Sequence, residues 1–182
     1  RENNLVKVPE NPDLYSDLLP SKVLNAIGRM DLGCTVTHIG GGFAITAGHC
    51  FANPYIREDL STFFVKDVSC NYVSGLPNSA YDVSFGVRGN SLGNVKGNCD
   101  KIIIAENSPQ LDFAIVKLSK VPNEALFLKE KSRALKGKEV TIYSHPSRRA
   151  LEWSQDCRLL ERRIDGLNRI QYDCDTEGGS SG

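Results

Sequence analysis

Short runs of alternating apolar and polar residues, separated by glycine, asparagine, serine and proline, make up most of the chain after residue 33. Residues 34–39 alternate and are rich in β-branched side chains, which favours a strand. Three glycines follow, and Phe43–Thr46 is predicted to return as the second strand of a hairpin. The same pattern predicts strands over residues 62–65, 83–87, 102–105, 113–118, 139–143 and 170–174. Many short strands with turn residues between them predict an all-β barrel or sandwich.

The segment before these strands has a different pattern. Apolar residues recur irregularly over residues 12–28, and Pro20 interrupts them, so we predict one or two short helical turns there. A boundary between two halves of the chain is expected near residues 120–123, after the strand over residues 113–118.

Charge does not point to nucleic acid or to a membrane. The 182 residues carry 22 Lys plus Arg and 22 Asp plus Glu, a formal net charge of zero. Such a chain has no field that would attract nucleic acid or anionic lipid. No apolar run approaches the length of a membrane span. We expect the adjacent Arg148 and Arg149 to lie on a solvated surface.

Six cysteines indicate an oxidising compartment. None forms a C-x-x-C pair, and an even count of single cysteines fits three disulfides in a secreted or periplasmic protein. Six cysteines allow 15 pairings in principle. We favour pairing of sequence neighbours, and the first such bridge would close a loop of about 15 residues and contribute roughly 3 kcal/mol. The favoured pairs are Cys34 with Cys50, Cys70 with Cys99, and Cys157 with Cys174.

Three segments carry residues suited to serine chemistry. His49 follows an apolar strand, Asp112 begins another, and Ser181 lies in a glycine-rich turn. A serine hydroxyl needs a neighbouring base, an imidazole suits this role, and a carboxylate can orient that imidazole. The backbone amides of Gly179 and Ser181 could converge on an oxyanion. Ser180 is the rival nucleophile, and we prefer Ser181 because a glycine follows it directly.

The remaining histidines have weaker claims to a function. His38 lies in a predicted strand and is expected to be structural, and His145 precedes a proline in a predicted loop. No pair of histidines has the H-x-x-x-H spacing of a zinc site, so we predict no metal site and no cofactor.

Together these motifs resemble the trypsin/chymotrypsin-like serine endopeptidases. Thr46-Ala47-Gly48-His49-Cys50 resembles the family's Thr-Ala-Ala-His-Cys motif, residues 112–118 resemble its aspartate strand, and residues 179–182 resemble its Gly-Asp-Ser-Gly turn. The resemblance is closest to the bacterial secreted branch that includes the V8-type glutamyl endopeptidases, through residues 143–146 and 172–179.

The resemblance implies a fold and a mechanism. The fold would be two antiparallel β-barrels with a short N-terminal helical segment: an N-terminal extension over residues 1–32, a first barrel over 33–120, and a partial second barrel over 121–182. His49 would be the general base, Asp112 the orienting carboxylate and Ser181 the nucleophile of an acyl-enzyme mechanism acting on proteins or peptides. It also implies a Cys34–Cys50 disulfide beside the histidine.

Departures from the family pattern leave alternatives open. Ser180 stands where the trypsin motif has aspartate, so we expect maturation without the trypsin N-terminal salt bridge. Asp175 lies where trypsin has a pocket aspartate and favours Arg or Lys, whereas Thr176 matches a pocket threonine of glutamyl endopeptidases and favours Glu. Further strands follow the serine in the family, so one expected partner is a separate C-terminal fragment of the same precursor. The alternative function is an inactive, protease-like binding or regulatory module.

Overall fold

A computed structural model describes residues 4–11, 20–53, 62–127, 136–161 and 171–182. Within these ranges nearly all regular structure is antiparallel β-sheet, in two separate sheets. The prediction of an all-β fold is confirmed.

The larger sheet carries the histidine and aspartate segments. In the described residues it has eight strands in the spatial order β5-β8-β9-β4-β3-β2-β6-β7. Its strands are β2 (Ile27–Met30), β3 (Thr35–Gly40), β4 (Phe43–Thr46), β5 (Phe63–Val68), β6 (Val83–Phe85), β7 (Val95–Gly97), β8 (Cys99–Asn107) and β9 (Asp112–Leu118).

The smaller sheet contains the second half of the chain and one strand from its beginning. Over the described ranges it has four strands: β1 (Leu5–Lys7), β10 (Glu139–Ser144), β11 (Glu152–Glu161) and β12 (Gln171–Tyr172). The long strand β11 pairs with the other three. The nucleophile segment, residues 177–182, follows β12.

The N-terminal segment contains a short helix and also contributes a strand to each sheet. Only Ser21–Asn25 forms an α-helix (α1), directly after Pro20, and residues 12–19 lie outside the described residues. Strand β1 pairs with β11, and β2 pairs with β3 and β6. Strands β1 and β2, which were not predicted, therefore lie within residues 1–32 and are parts of the two sheets. Among the described residues, no helix has the length and apolar character that crossing a membrane requires.

Most predicted strands are present with shifted ends. Predicted residues 102–105 lie within the longer β8, residues 62–65 correspond to Phe63–Val68, and residues 83–87 shorten to Val83–Phe85. The prediction over 170–174 reduces to Gln171–Tyr172, and residue 170 lies outside the described residues. The sequence analysis missed β1, β2, β7 and β11.

Two apolar clusters stabilise the fold. The larger lies inside the eight-stranded sheet and includes Val36, Ala44, Ile102 and Val116. The smaller joins α1 to the second sheet through Val8, Leu24, Ile27 and Leu151. Burial of such side chains contributes about 25 cal/mol per Å² of apolar surface, so these clusters hold both sheets in place.

Three disulfides form with the favoured pairing, and they leave no cysteine free. Cys34–Cys50 and Cys70–Cys99 lie within the larger sheet unit, and Cys157–Cys174 joins β11 to the segment after β12. Each bridge thus lies within one half of the molecule.

Gly48 is enclosed by backbone atoms at the point where β4 ends. A Cβ atom there would lie 1.9 Å from the carbonyl oxygen of Glu106 and 2.9 Å from that of Phe113. Real Cβ atoms do not approach backbone oxygen this closely, so strands β8 and β9 would have to move. Glycine is therefore required beside His49, at a position where the family motif has alanine.

We predict that Gly48→Ala destabilises the protein by about 3 kcal/mol, the upper end of the cost of overpacking. Urea unfolding followed by far-ultraviolet circular dichroism measures the effect. Gly178→Ala is the matched control, because a Cβ at Gly178 meets nothing within 4 Å; its free energy of unfolding should change by no more than about 0.5 kcal/mol. Equal unfolding midpoints for the two variants would contradict the close packing at Gly48.

Candidate active site

His49 is fixed by the turn that follows β4. Residues Gly48–Phe51 form a single 3₁₀ turn, in which Cys50 and Phe51 are buried. Cys50 is bonded to Cys34 at the start of β3, and Phe51 stacks on Tyr81 with ring centroids 5.0 Å apart. The histidine side chain, between these anchors, remains 44% exposed.

Strand register brings Asp112 to His49. In the β4–β9 pair, Thr46 lies opposite Ala114, so residues just after β4 face residues at the start of β9. Asp112 accepts two hydrogen bonds from His49: Oδ2 lies 2.6 Å from ring Nδ1, and Oδ1 lies 2.9 Å from the backbone nitrogen. Both carboxylate oxygens therefore hold the same residue.

This contact sets the tautomer of the imidazole. A carboxylate only accepts hydrogen bonds, so Nδ1 carries the proton and Nε2 keeps its lone pair. An imidazole oriented in this way can take a proton at Nε2, and the carboxylate stabilises the imidazolium that forms. The His49–Asp112 pair has the geometry of a general base with its orienting group.

The predicted nucleophile turn is closed by its own backbone. The Ser180 N–H donates to the Glu177 carbonyl at 3.0 Å, and the Glu177 N–H donates to Ser180 Oγ at 3.2 Å. Gly179 has a left-handed φ of 89°, and a Cβ there would lie 2.6 Å from the Gly33 carbonyl oxygen. Within the described part of the chain, the N–H groups of Gly179 and Ser181 have no acceptor. They are the two amides predicted to stabilise an oxyanion.

Thr35 holds this turn against the larger sheet. Its N–H donates to the Ser181 carbonyl at 2.8 Å, and its hydroxyl donates to the Gly179 carbonyl at 3.0 Å. The same hydroxyl accepts the His145 N–H at 2.9 Å, and the Thr35 carbonyl accepts the Thr46 hydroxyl at 2.7 Å. Thr35 follows Cys34, which is bonded to the neighbour of His49, so a short covalent and hydrogen-bonded path joins Ser181 to His49. The sequence analysis did not identify Thr35.

The two serines of the turn have different surroundings. Ser180 Oγ accepts the Ser144 hydroxyl at 3.0 Å as well as the Glu177 N–H. Ser181 Oγ makes no hydrogen bond among the described residues, including none to His49. The structure brings His49 and Asp112 together and joins the turn to the same sheet, but no hydrogen bond joins the base to the predicted nucleophile.

The predicted specificity residues do not line the groove beside Asp112. That groove, about 460 Å³ in volume, borders Asp112 and Gly182, and its remaining lining is largely apolar. Neither Asp175 nor Thr176 lines it. Asp175 Oδ2 accepts the Asn4 N–H at 2.8 Å beside β1, and Thr176 is exposed.

Residues 145–149 pack directly against the nucleophile turn. The Ser147 N–H donates to the Gly178 carbonyl at 2.5 Å, and Arg148 donates to the Leu32 carbonyl at 2.9 Å. Arg149 contacts the carboxylates of Glu152 and Glu177. Arg148 and Arg149 are exposed to solvent, as expected, and each guanidinium also binds a specific acceptor. No motif in the sequence signals these contacts.

His145 lies in a loop, as predicted, and is fully buried beside the turn. Its Nδ1 donates to the Arg149 carbonyl at 3.0 Å, and its Nε2 has no partner among the described residues. Burial lowers the pKa of His145 from 6.5 to about 4, more than the hydrogen bond to Arg149 raises it, and Arg29 adds to the decrease. His145 is therefore neutral at physiological pH. His38, also buried, donates from Nδ1 to the Glu124 carbonyl at 2.6 Å.

One group of potential metal ligands occurs in the described residues: Cys34, His49 and Cys50, with ligand atoms within 4.8 Å of one another. The two sulfur atoms are bonded to each other, and metal ligation requires a thiolate. With the disulfide formed, these residues do not fit a metal ion.

Comparison with solved structures identifies the class of fold. The chain has the chymotrypsin-like serine protease fold. A structure of a Glu endopeptidase in complex with MPD aligns with 100% of the chain and 78% of its own length, with a TM-score of 0.63 and 19% sequence identity.

A second similar protein is the Rv3671c protease of Mycobacterium tuberculosis. Its inactive form aligns with a TM-score of 0.59 and 16% identity, over 97% of this chain and 79% of its own. Its active form aligns with a TM-score of 0.52 and 15% identity, over 100% and 74%. No protein-family model and no curated protein matches the chain.

Buried His145 gives a testable pH dependence. Between about pH 4 and 6.5 the unfolded chain binds a proton at this residue and the folded protein does not. Stability from this residue is complete above pH 6.5 and decreases by about 3 kcal/mol as the pH falls to 4. We predict that His145→Gln, measured by urea unfolding against the parent, gains relative stability as pH falls across this range. If the difference in free energy of unfolding between variant and parent does not change with pH, His145 has the same pKa in the folded and unfolded protein.

Proposed function

We propose that the protein is a serine endopeptidase that hydrolyses peptide bonds with His49 as general base, Asp112 as orienting carboxylate and Ser181 as nucleophile. The observation that carries this proposal is the double acceptance by Asp112 of the ring Nδ1–H and the backbone N–H of His49. An aspartate that only capped the turn would accept the backbone N–H of His49 and would not also bind the ring Nδ1–H.

The proposed reaction has two stages. His49 Nε2 removes the hydroxyl proton as Ser181 Oγ attacks the scissile carbonyl carbon, and the N–H groups of Gly179 and Ser181 donate to the resulting oxyanion. The imidazolium then protonates the leaving amine, and the C–N bond breaks to give an acyl-enzyme. Water, deprotonated by the same imidazole, attacks the ester carbonyl and releases the acid, while the proton returns to Ser181 Oγ.

Four further features support the proposal. The fold is that of serine proteases, and similar structures include a Glu endopeptidase. The amides assigned to the oxyanion have no acceptor among the described residues. Ser180 is hydrogen-bonded within its turn, which favours Ser181 as the nucleophile. The three disulfides fit a secreted or periplasmic enzyme.

Of the two readings of specificity, we propose cleavage after Glu with the Thr176 hydroxyl as a donor to the substrate carboxylate. Thr176 is exposed, whereas the Asp175 carboxylate already accepts the Asn4 N–H. The name of the similar Glu endopeptidase agrees with this choice.

An inactive binding or regulatory module is the second candidate. The missing hydrogen bond between His49 and Ser181 in the described residues favours it, as does the apolar groove beside Asp112, which could accept a partner without chemistry. A module of this kind would keep the fold and bind peptide without turnover.

We predict that a fluorophosphonate probe labels the parent protein and that Ser181→Ala abolishes labelling. Only an activated serine reacts with such a probe, and His49→Ala should lower the rate by several orders of magnitude. Asp112→Asn should lower kcat of peptide hydrolysis by about 10⁴-fold through the wrong tautomer.

Ser180→Ala is the matched control for the nucleophile, because it removes the adjacent hydroxyl and keeps Ser181. It should still be labelled. Labelling that survives Ser181→Ala and is lost in Ser180→Ala would identify Ser180 as the nucleophile. If the probe does not label the parent at all, the binding module is favoured.

We predict that Thr176→Val, which removes the hydroxyl at nearly constant shape, lowers kcat/KM for substrates with Glu before the scissile bond by about 10- to 100-fold. Asp175→Asn is the control and should leave the preference for Glu in place. If the parent cleaves after Arg or Lys and the Asp175→Asn variant does not, the specificity is assigned to Asp175 instead.

A further inference from the structure

Arg149 lies between two carboxylates that belong to different parts of the second half. Its Nε and Nη2 lie 2.9 and 3.1 Å from the two oxygens of Glu152, and its Nη1 lies 2.9 Å from Oε2 of Glu177. Glu152 begins strand β11, and Glu177 begins the nucleophile turn. The guanidinium therefore connects the sheet to the turn.

The Glu152 end of this connection is rigid. The Glu152 side chain is only 6% exposed, and a buried carboxylate needs a paired cation to offset its desolvation. Arg149 supplies that cation through two parallel hydrogen bonds, a geometry that only a guanidinium forms. Hydrogen bonds to Glu152 first, and to Glu177 second, raise the pKa of Arg149 above its ordinary value. The charge is therefore permanent.

The Glu177 end bears on the proposed oxyanion site. Both the N–H and the carbonyl of Glu177 bond to Ser180, so a displacement of Glu177 moves the turn that contains Gly179. The same side of the turn is held by the Ser147 N–H on the Gly178 carbonyl. Arg149 reaches the turn through its ion pair with Glu177.

We propose that Arg149 is a positioning residue that holds Glu177, and with it the amides of Gly179 and Ser181, in the geometry that stabilises an oxyanion. The proposal rests on the proposed serine endopeptidase function. An ordinary exposed ion pair contributes little, because solvent competes with it. Arg149 differs from such pairs because Glu152, which is nearly inaccessible to solvent, fixes its orientation.

Glu177→Ala is the main test, because it releases the turn and leaves the Arg149–Glu152 pair intact, so the fold should be preserved. We expect kcat for a peptide substrate to fall by about 10- to 100-fold, since a misplaced oxyanion donor weakens transition-state binding. KM should change by less than about twofold, and fluorophosphonate labelling should slow in parallel. Arg149→Lys should lose much of the same activity, because an ammonium cannot bridge both carboxylates in this geometry.

Arg158→Ala is the matched control. Arg158 pairs with Glu139 at 3.3 Å on the exposed face of the same sheet, away from the turn, and its loss should leave kcat unchanged. An unchanged kcat in Glu177→Ala, or a change in KM alone, would overturn the positioning role.

Amide hydrogen exchange followed by NMR separates this proposal from the proposed function. In Glu177→Ala the amides of Ser180 and Ser147, which are hydrogen-bonded in the parent, should exchange at least tenfold faster, and in Arg158→Ala they should not. Unchanged exchange would overturn the proposal whatever the activity. Suppose that exchange is faster in Glu177→Ala than in the parent, but that no probe labels the parent. Arg149 would then still anchor the turn, and the peptidase function would be rejected.

Discussion

Four hydrogen bonds at Thr35 are the constraint on which the site depends. Through its N–H, hydroxyl and carbonyl this buried residue binds Ser181, Gly179, His145 and Thr46. Two of these partners belong to the nucleophile turn, one to the loop beside it, and one to the strand that precedes His49. Removing buried hydrogen-bond partners costs more than the bonds themselves contribute, so the turn and the larger sheet are held in one arrangement.

The contact between His49 and Asp112, the proposed base and its carboxylate, has a different and simpler cause. Antiparallel pairing of β4 with β9 places the two strand ends together, and Asp112 then uses both oxygens on His49. This half of the site lies wholly within the larger sheet, while the turn with Ser181 belongs to the other half of the chain. The proposed reaction at Ser181 therefore requires residues from both halves of the chain, which Thr35 and the loop over residues 145–149 bring into contact.

Sequence patterns predicted the parts that depend on local order. Alternation located most strands, the His49, Asp112 and Ser181 segments were singled out, and neighbour pairing of cysteines was correct. Strand β11 was missed because its charged and polar residues are stabilised by partners distant in the chain, such as Glu139 on Arg158. Strand β2 was missed because it follows α1 directly and continues its apolar pattern. Thr35, Arg149 and His145 act only through the fold, so a single sequence carries no signal for them.

The placement of the disulfides has a consequence for how the protein would lose its proposed activity. All three disulfides are confined to one half or the other, so none joins the half that contains His49 to the half that contains Ser181. A small separation of the halves would abolish the proposed reaction, while the disulfides within each half stayed intact. Oxidation thus protects each half without fixing how the halves are aligned, which depends on the hydrogen bonds of Thr35 and on the apolar cluster that contains Ile27 and Leu151.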